Sequence, residues 1–135
     1  MVISHANYTS GALPRATAVG YSPSTRVFEF ASYAFGVSID CMLCTLAVGG
    51  TICIPSDAAR MNDLGGAIVA SGATMAHMTP SVARVLDPAV ISGLEVLELG
   101  GRGGVGGGCA GLGKRGDECG SGVRAVRVYG WMYGE

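Results

Sequence analysis

Two acids, one histidine and two cysteines are the residues of this 135-residue chain whose surroundings make their chemistry worth explaining. Asp40 lies in VSIDCMLCTLA and Glu98 in LEVLELG, segments that are otherwise largely apolar. A carboxylate in such company is costly unless it meets a partner. Either acid could hold a basic or hydroxylated group, and Asp40 has the alternative of facing solvent from a helix. His77, in TMAHMTP, could hydrogen-bond a polar ligand or simply end a strand. Cys41 and Cys44 form a CxxC, but it falls inside an apolar helical pattern with no second pair at zinc-like spacing. Two buried thiols are the expectation, and no residue is assigned to a metal. No Ser, His and acid stand at a triad spacing, so no catalytic residue is assigned either, and His5 with Asn7 reads as the start of a helix. Gly101 to Gly106 spells GxGxxG after a predicted strand, the pattern of a dinucleotide-binding turn in a small α/β domain. In a glycine-rich tract that pattern arises by chance, and no apolar helix follows to receive a pyrophosphate.

The elements that position these residues alternate in type. Apolar periodicity predicts a helix from His5 to Val19, a strand at Val27 to Ala31, a helix at Val37 to Leu46 and a strand at Thr51 to Ile54. A helix follows from Ala58 to Ser71, then a strand at Thr74 to Met78, a helix from Pro80 to Leu86 stopped by Asp87-Pro88, and a strand at Val96 to Leu99. Ile52 and Ile54 alternate with Cys53 in a pattern compatible with burial on both faces. Ser56 or Asp57 and Ser81 are candidate helix caps, and Gly72 a candidate stop. Alternation of this kind implies an α/β fold, a partial parallel sheet with crossover helices. Of the 23 glycines, 14 lie from Gly100 onward. That stretch has no sustained period and few large apolar residues, so an irregular, mostly unordered tail is expected, with one short strand at Val123 to Tyr129.

Composition limits the partners. An apolar content of 49% fills a modest core, and a net charge of -1 with no basic run longer than Lys114-Arg115 gives no footprint for nucleic acid or an anionic membrane. Gly49-Gly50 and Pro55 interrupt the longest apolar stretch well short of the ~20 residues a spanning helix needs. The first residues carry no leader pattern, so a cytoplasmic protein is expected, and the five cysteines are expected as free thiols.

From Val2 to Gly101 the chain resembles the adenylation domains of fungal nonribosomal peptide synthetases, in the adenylate-forming (AMP-binding) ligase superfamily. The resemblance rests on Val2-Ile3-Ser4-His5-Ala6-Asn7, on Phe30 to Ser38, on Met78-Thr79-Pro80-Ser81 and on Leu97-Glu98-Leu99-Gly100-Gly101. It implies that residues 1-101 are a piece of the large N-terminal domain of such an enzyme, and that 102-135 are a separate tail. It also implies an acid-substrate pocket lined by Gly36, Val37, Asp40, His77, Glu98 and Gly100. Gly36 stands where the family has an Asp that holds the substrate's amino group, a change that related domains activating 2-hydroxy acids also show. Arg102 stands where a Glu is usual, and Tyr129-Gly130 is not followed by the family's Pro-Thr-Glu. The change after Gly101 resembles out-of-frame translation.

In the parent family ATP and magnesium activate a carboxylic acid, amino or 2-hydroxy, for transfer to a carrier-protein domain. The phosphate loop and the small domain with the catalytic lysine are not among these 135 residues, so this piece is expected to bind neither ATP nor magnesium well and to be inactive alone. A noncatalytic interaction remnant is the alternative. A partial sheet of this kind is also expected to expose apolar faces and associate.

Overall fold

The computed structural model describes residues 4–100 and, as backbone, two strands at Glu118–Cys119 and Val123–Arg127. Chain order is α1 (His5–Val19), β1 (Arg26–Phe28), α2 (Gly36–Ala47), β2 (Thr51–Cys53), α3 (Asp57–Asn62), α4 (Leu64–Ser71), β3 (Met75–Met78), α5 (Pro80–Ala83), α6 (Pro88–Ser92), β4 (Val96–Leu99), β5 (Glu118–Cys119) and β6 (Val123–Arg127). The strands form one sheet in the order β2-β1-β3-β4-β6-β5, parallel throughout except for the last pair. The α/β fold with a parallel sheet and crossover helices is as the sequence predicts.

Strand side chains alternate between two cores. Val27, Met75 and Val96 meet Ala12, Ala16, Val19, Cys41 and Cys44, the inward stripes of α1 and α2. Phe28, Ala76, Met78, Leu97 and Leu99 meet Ile68, Ala83 and Leu94 from the α4, α5 and α6 region on the other face. Both faces of the middle strands are therefore buried, and β3 and β4 show no exposed position. Buried parallel strands must read as apolar runs, so His77 and Glu98 are conspicuous within them.

Several boundaries depart from the sequence reading. The helix expected from Ala58 to Ser71 is two helices, because Asp63 leaves helical geometry (φ -150°, ψ 66°) and its Oδ1 accepts from Gly66 N at 2.9 Å, capping α4. Ser56 caps α3, and Gly72 ends α4 at φ 61°, a conformation that costs glycine little. The helix from Pro80 stops at Ala83. Its cap is Thr79 rather than Ser81, with Pro80 in the first turn where its missing N–H is harmless. Asp87-Pro88 therefore does not stop that helix but starts another: Asp87 Oδ1 accepts from Ala89 N at 2.7 Å and α6 follows. In β2 only Cys53 is buried and Ile54 beyond it is 63% exposed, since β2 is the edge strand. β6 falls within the strand expected at Val123 to Tyr129, and β5 was not anticipated. The GxGxxG turn and the remainder of the tail lie outside the described residues. No helix among the described residues is long and apolar enough to cross a membrane. The outer side of α2 presents Phe35, Ile39, Leu43 and Leu46, each 43% or more exposed, an apolar stripe at helical spacing.

Candidate functional site

Strands β1 and β3 are neighbours, but the helices that follow them cover opposite faces of the sheet. Open parallel sheets bind ligands in the crevice at the carboxyl ends of strands at such a reversal. Glu29, one residue past β1, and His77, the penultimate residue of β3, stand there. Glu98 is His77's direct register partner on β4. Alternation places all three on the face covered by α1 and α2, two residues beyond Val27, Met75 and Val96.

A cation from α1 joins the acids. The Arg15 guanidinium donates from Nη2 to Glu98 Oε1 at 3.0 Å, and its Nη1 pairs with Asp40 Oδ2 on α2. Tyr21, just past α1, donates its hydroxyl to Glu98 Oε2 at 3.3 Å, and Tyr8 donates to Asp40 Oδ1 at 3.1 Å. His77 Nδ1 is 3.7 Å from Glu98 Oε2, beyond hydrogen-bond length but close enough for an ion pair when the ring is protonated. Asp40 thus turns inward to Arg15 and Tyr8 and is only partly open to solvent.

The electrostatics follow from burial and these partners. Burial alone would raise the Glu98 carboxyl, but His77, Arg15 and Tyr21 outweigh it and hold it below the ordinary 4.5. For Arg15 burial works against the charge, and Glu98 and Asp40 more than restore it. Among the described residues Glu29 has no such ion pair and its Oε2 makes no hydrogen bond, and burial lifts its pKa above 4.5 despite the opposing influence of Ser38, His77 and Arg60. The Cys41 thiol is pushed up by burial and further by Glu98, Glu29 and Asp40, so it stands as a neutral thiol.

Of the six residues expected to line a pocket, four are joined. Arg15 ties Asp40 to Glu98, Glu98 neighbours His77, and the His77 ring lies on Gly100. A Cβ at Gly100 would come 2.6 Å from His77 Nε2, so the ring's position requires glycine there. Gly36 and Val37 open α2 one turn before Asp40, with Phe35 as a cap whose side chain makes no capping bond, and Val37 packs against the α1/α2 core. Cys41 and Cys44 are both buried free thiols, as their helical setting implies.

Sequence reasoning missed Arg15, Tyr21 and Glu29. Arg15 had a signal: a cation between Ala12, Ala16 and Val19 on an apolar helix stripe needs a carboxylate inside. Tyr21 had none, because it follows the helix-ending Gly20. Elsewhere a shallow groove of about 280 Å³ runs between α4 and α6, lined by Ile68, Val69, Val90 and Leu94 among others. It carries no titratable side chain and offers no chemistry.

Comparison with known proteins gives one consistent kin group. Over 99 residues the chain is 68% identical to nonribosomal peptide synthetase SIDD of Beauveria bassiana, covering 73% of this chain and 5% of the synthetase. It is 68% identical over 101 residues to nonribosomal peptide synthetase 1 of Ajellomyces capsulatus, covering 75% of this chain and 6% of that protein. With nonribosomal peptide synthetase 6 of Cochliobolus miyabeanus the identity is 59% over 102 residues, 76% of this chain and 6% of the relative. The chain thus spans about one-twentieth of the length of these relatives. No family model matches it. Among solved structures the crystal structure of CmiS6 superimposes with a TM-score of 0.63 at 19% identity, covering 90% of this chain and 31% of the other. That of IdnL1 gives 0.55 at 20% identity, covering 67% and 20%. At such identities the two structures share the fold.

Proposed function

Because this chain is a segment of the nonribosomal peptide synthetase family, we propose that it comes from an adenylation domain, the part that activates a carboxylic acid with ATP, and that Gly36, Val37, Asp40, His77, Glu98 and Gly100 line its acid pocket. The observation that carries the reading is the buried cluster of Asp40, Glu98 and His77 around Arg15 at the sheet's switch point, the place where doubly wound sheets receive ligands.

The roles follow from the chemistry of each group. Asp40 and Glu98 are acceptors fixed by Arg15 and two tyrosines, so the acid's side chain is selected for donors that can displace or join those contacts. Gly36 brings no charge to the α-substituent. An α-ammonium desolvated there without a carboxylate would cost several kcal/mol, a cost that a 2-hydroxyl group avoids. The activated acid would pass to a carrier-protein domain of the same synthetase.

ATP with magnesium supplies the phosphoryl chemistry in this reading. The described residues do not fit that group: Arg15 is engaged by two acids, Arg26 by the carbonyls of Ser71 and Gly72, and Arg60 by Asp57. No step through ATP is derived from them, and the isolated chain is inactive in this account. A noncatalytic interaction role is the second reading, favoured by the exposed stripe on α2.

The test is acid-dependent pyrophosphate exchange in the Beauveria bassiana relative carrying this segment in place of its own. His77→Ala is expected to lower kcat/KM for the preferred acid at least about tenfold, the loss of one good polar contact, while the KM for ATP stays put. An equal loss for every acid, or none, would contradict the pocket reading.

A further inference from the structure

We propose that Cys41, His77 and Glu98 form a three-ligand site for a divalent transition-metal ion of the zinc type. The three residues come from α2, β3 and β4, and their ligand atoms, Cys41 Sγ, a His77 ring nitrogen and a Glu98 carboxylate oxygen, all lie within 4.8 Å of one another. Tetrahedral zinc with bonds of about 2.0–2.3 Å sets its ligand atoms about 3.3–3.8 Å apart, so the cluster closes on an ion by side-chain shifts of about 1 Å.

Three further observations point to an ion rather than to a packed core. All three side chains are deeply buried, with relative exposures of 3% for Cys41, 9% for His77 and 0% for Glu98. Among the described residues His77 Nδ1 is buried without a hydrogen-bond partner, in an interior where such nitrogens are nearly always paired, and it lies 3.7 Å from Glu98 Oε2. The outer shell is in place as well. Arg15 and Tyr21 orient the Glu98 carboxylate by hydrogen bonds, the second-shell support that a metal-ligating acid needs.

Thiolate, imidazole and carboxylate with a fourth position open is a donor set zinc accepts. Binding is a proton exchange: the ion takes the Cys41 sulfur lone pair, the S–H bond breaks, and the proton leaves to solvent. The ion's two positive charges and that of Arg15 are then met by the Cys41 thiolate, Glu98 and Asp40. The other titratable groups acting on the sulfur are Tyr21, just past α1, and Glu29, just past β1. The inference does not depend on the acid-pocket reading, because its assay uses neither acid nor ATP, and either can fail alone.

Titration of the purified chain with cobalt(II), followed by zinc(II), tests it. One cobalt per chain is expected, with the intense visible bands of tetrahedral coordination and a sulfur-to-cobalt band in the near ultraviolet, all bleached by zinc. Cys41→Ala should abolish the sulfur band and weaken binding at least about 100-fold, the upper range for losing even an outer-shell contact. Cys44→Ala, Cys53→Ala and the double variant C109A/C119A should keep both signals. Absence of the bands, or their survival in Cys41→Ala, overturns the proposal. If circular dichroism finds Cys41→Ala unfolded, X-ray absorption of the zinc-loaded parent chain decides: one sulfur with at least one imidazole supports the site, and any other sulfur count refutes it.

Discussion

Replacing Arg15 with methionine removes the charge that joins α1 to α2 and β4 while keeping an apolar stem in its place. Glu98, fully buried, is left with Tyr21 and His77, and Asp40 with Tyr8. Removing one partner of a buried ion pair costs about 3–5 kcal/mol, against a total stability of about 5–15 kcal/mol for a domain of this size. Urea unfolding followed by circular dichroism at pH 7 should show the midpoint falling by more than about 1 M, taking a slope of 1–3 kcal/mol/M, with the slope itself unchanged. The double variant R15M/E98Q should recover most of the loss, because it removes the stranded charge. The pH dependence should also change sign. In the parent, Glu98 ionises below the ordinary 4.5, so its contribution is fully present above that pH and lost as pH falls through the folded value. Without Arg15 burial dominates, the folded value rises above 4.5, and stability improves as pH is lowered from 7 toward 4.5. A loss below about 1 kcal/mol with no change in pH slope would refute the view that Arg15 holds the site together.

Other consequences can be measured independently. Glu29 is raised above 4.5 by burial, so its contribution falls as pH rises from 4.5 through its folded value; Glu29→Gln should be more stable than the parent at pH 7 and equal to it near pH 4.5 by urea melts, and equal stability at both would contradict the assignment. Gly100→Ala drives a methyl group against the buried His77 ring and should destabilise by about 1–3 kcal/mol in the same assay. The double variant L43K/L46K interrupts the apolar stripe on α2, and size-exclusion chromatography should then show less self-association; an unchanged elution profile would clear that face.

The element order could be read along residues 4–100 because apolar spacing and local punctuation agree there. α1 and β4 match the expected bounds, Ser56 caps and Gly72 stops. What escaped was the capping role of two aspartates. Asp63 ends one helix and caps the next, and Asp87 opens a helix rather than stopping one, so periodicity alone read the first pair as one helix and passed over α6. The exposure of Ile54 depends on β2 being the edge strand, a fact of sheet order rather than of local pattern. Of the site, Asp40, His77 and Glu98 stood out as polar residues in apolar runs, which is a local signal. Their joining through Arg15 is not local, since Arg15 and Glu98 are 83 positions apart. Distance along the chain likewise hid Cys41 from His77 and Glu98, because a CxxC read along one helix says nothing of a histidine and a carboxylate arriving from two strands.

The central claim, that this segment carries the acid pocket of an adenylation domain, is tested most directly at Gly36. In the Beauveria bassiana synthetase bearing this segment, acid-dependent pyrophosphate exchange would be measured for matched amino and 2-hydroxy acids before and after Gly36→Asp. The account predicts a gain in exchange for the amino acid relative to the hydroxy acid, because the new carboxylate pairs with the α-ammonium. An unchanged ratio would contradict it.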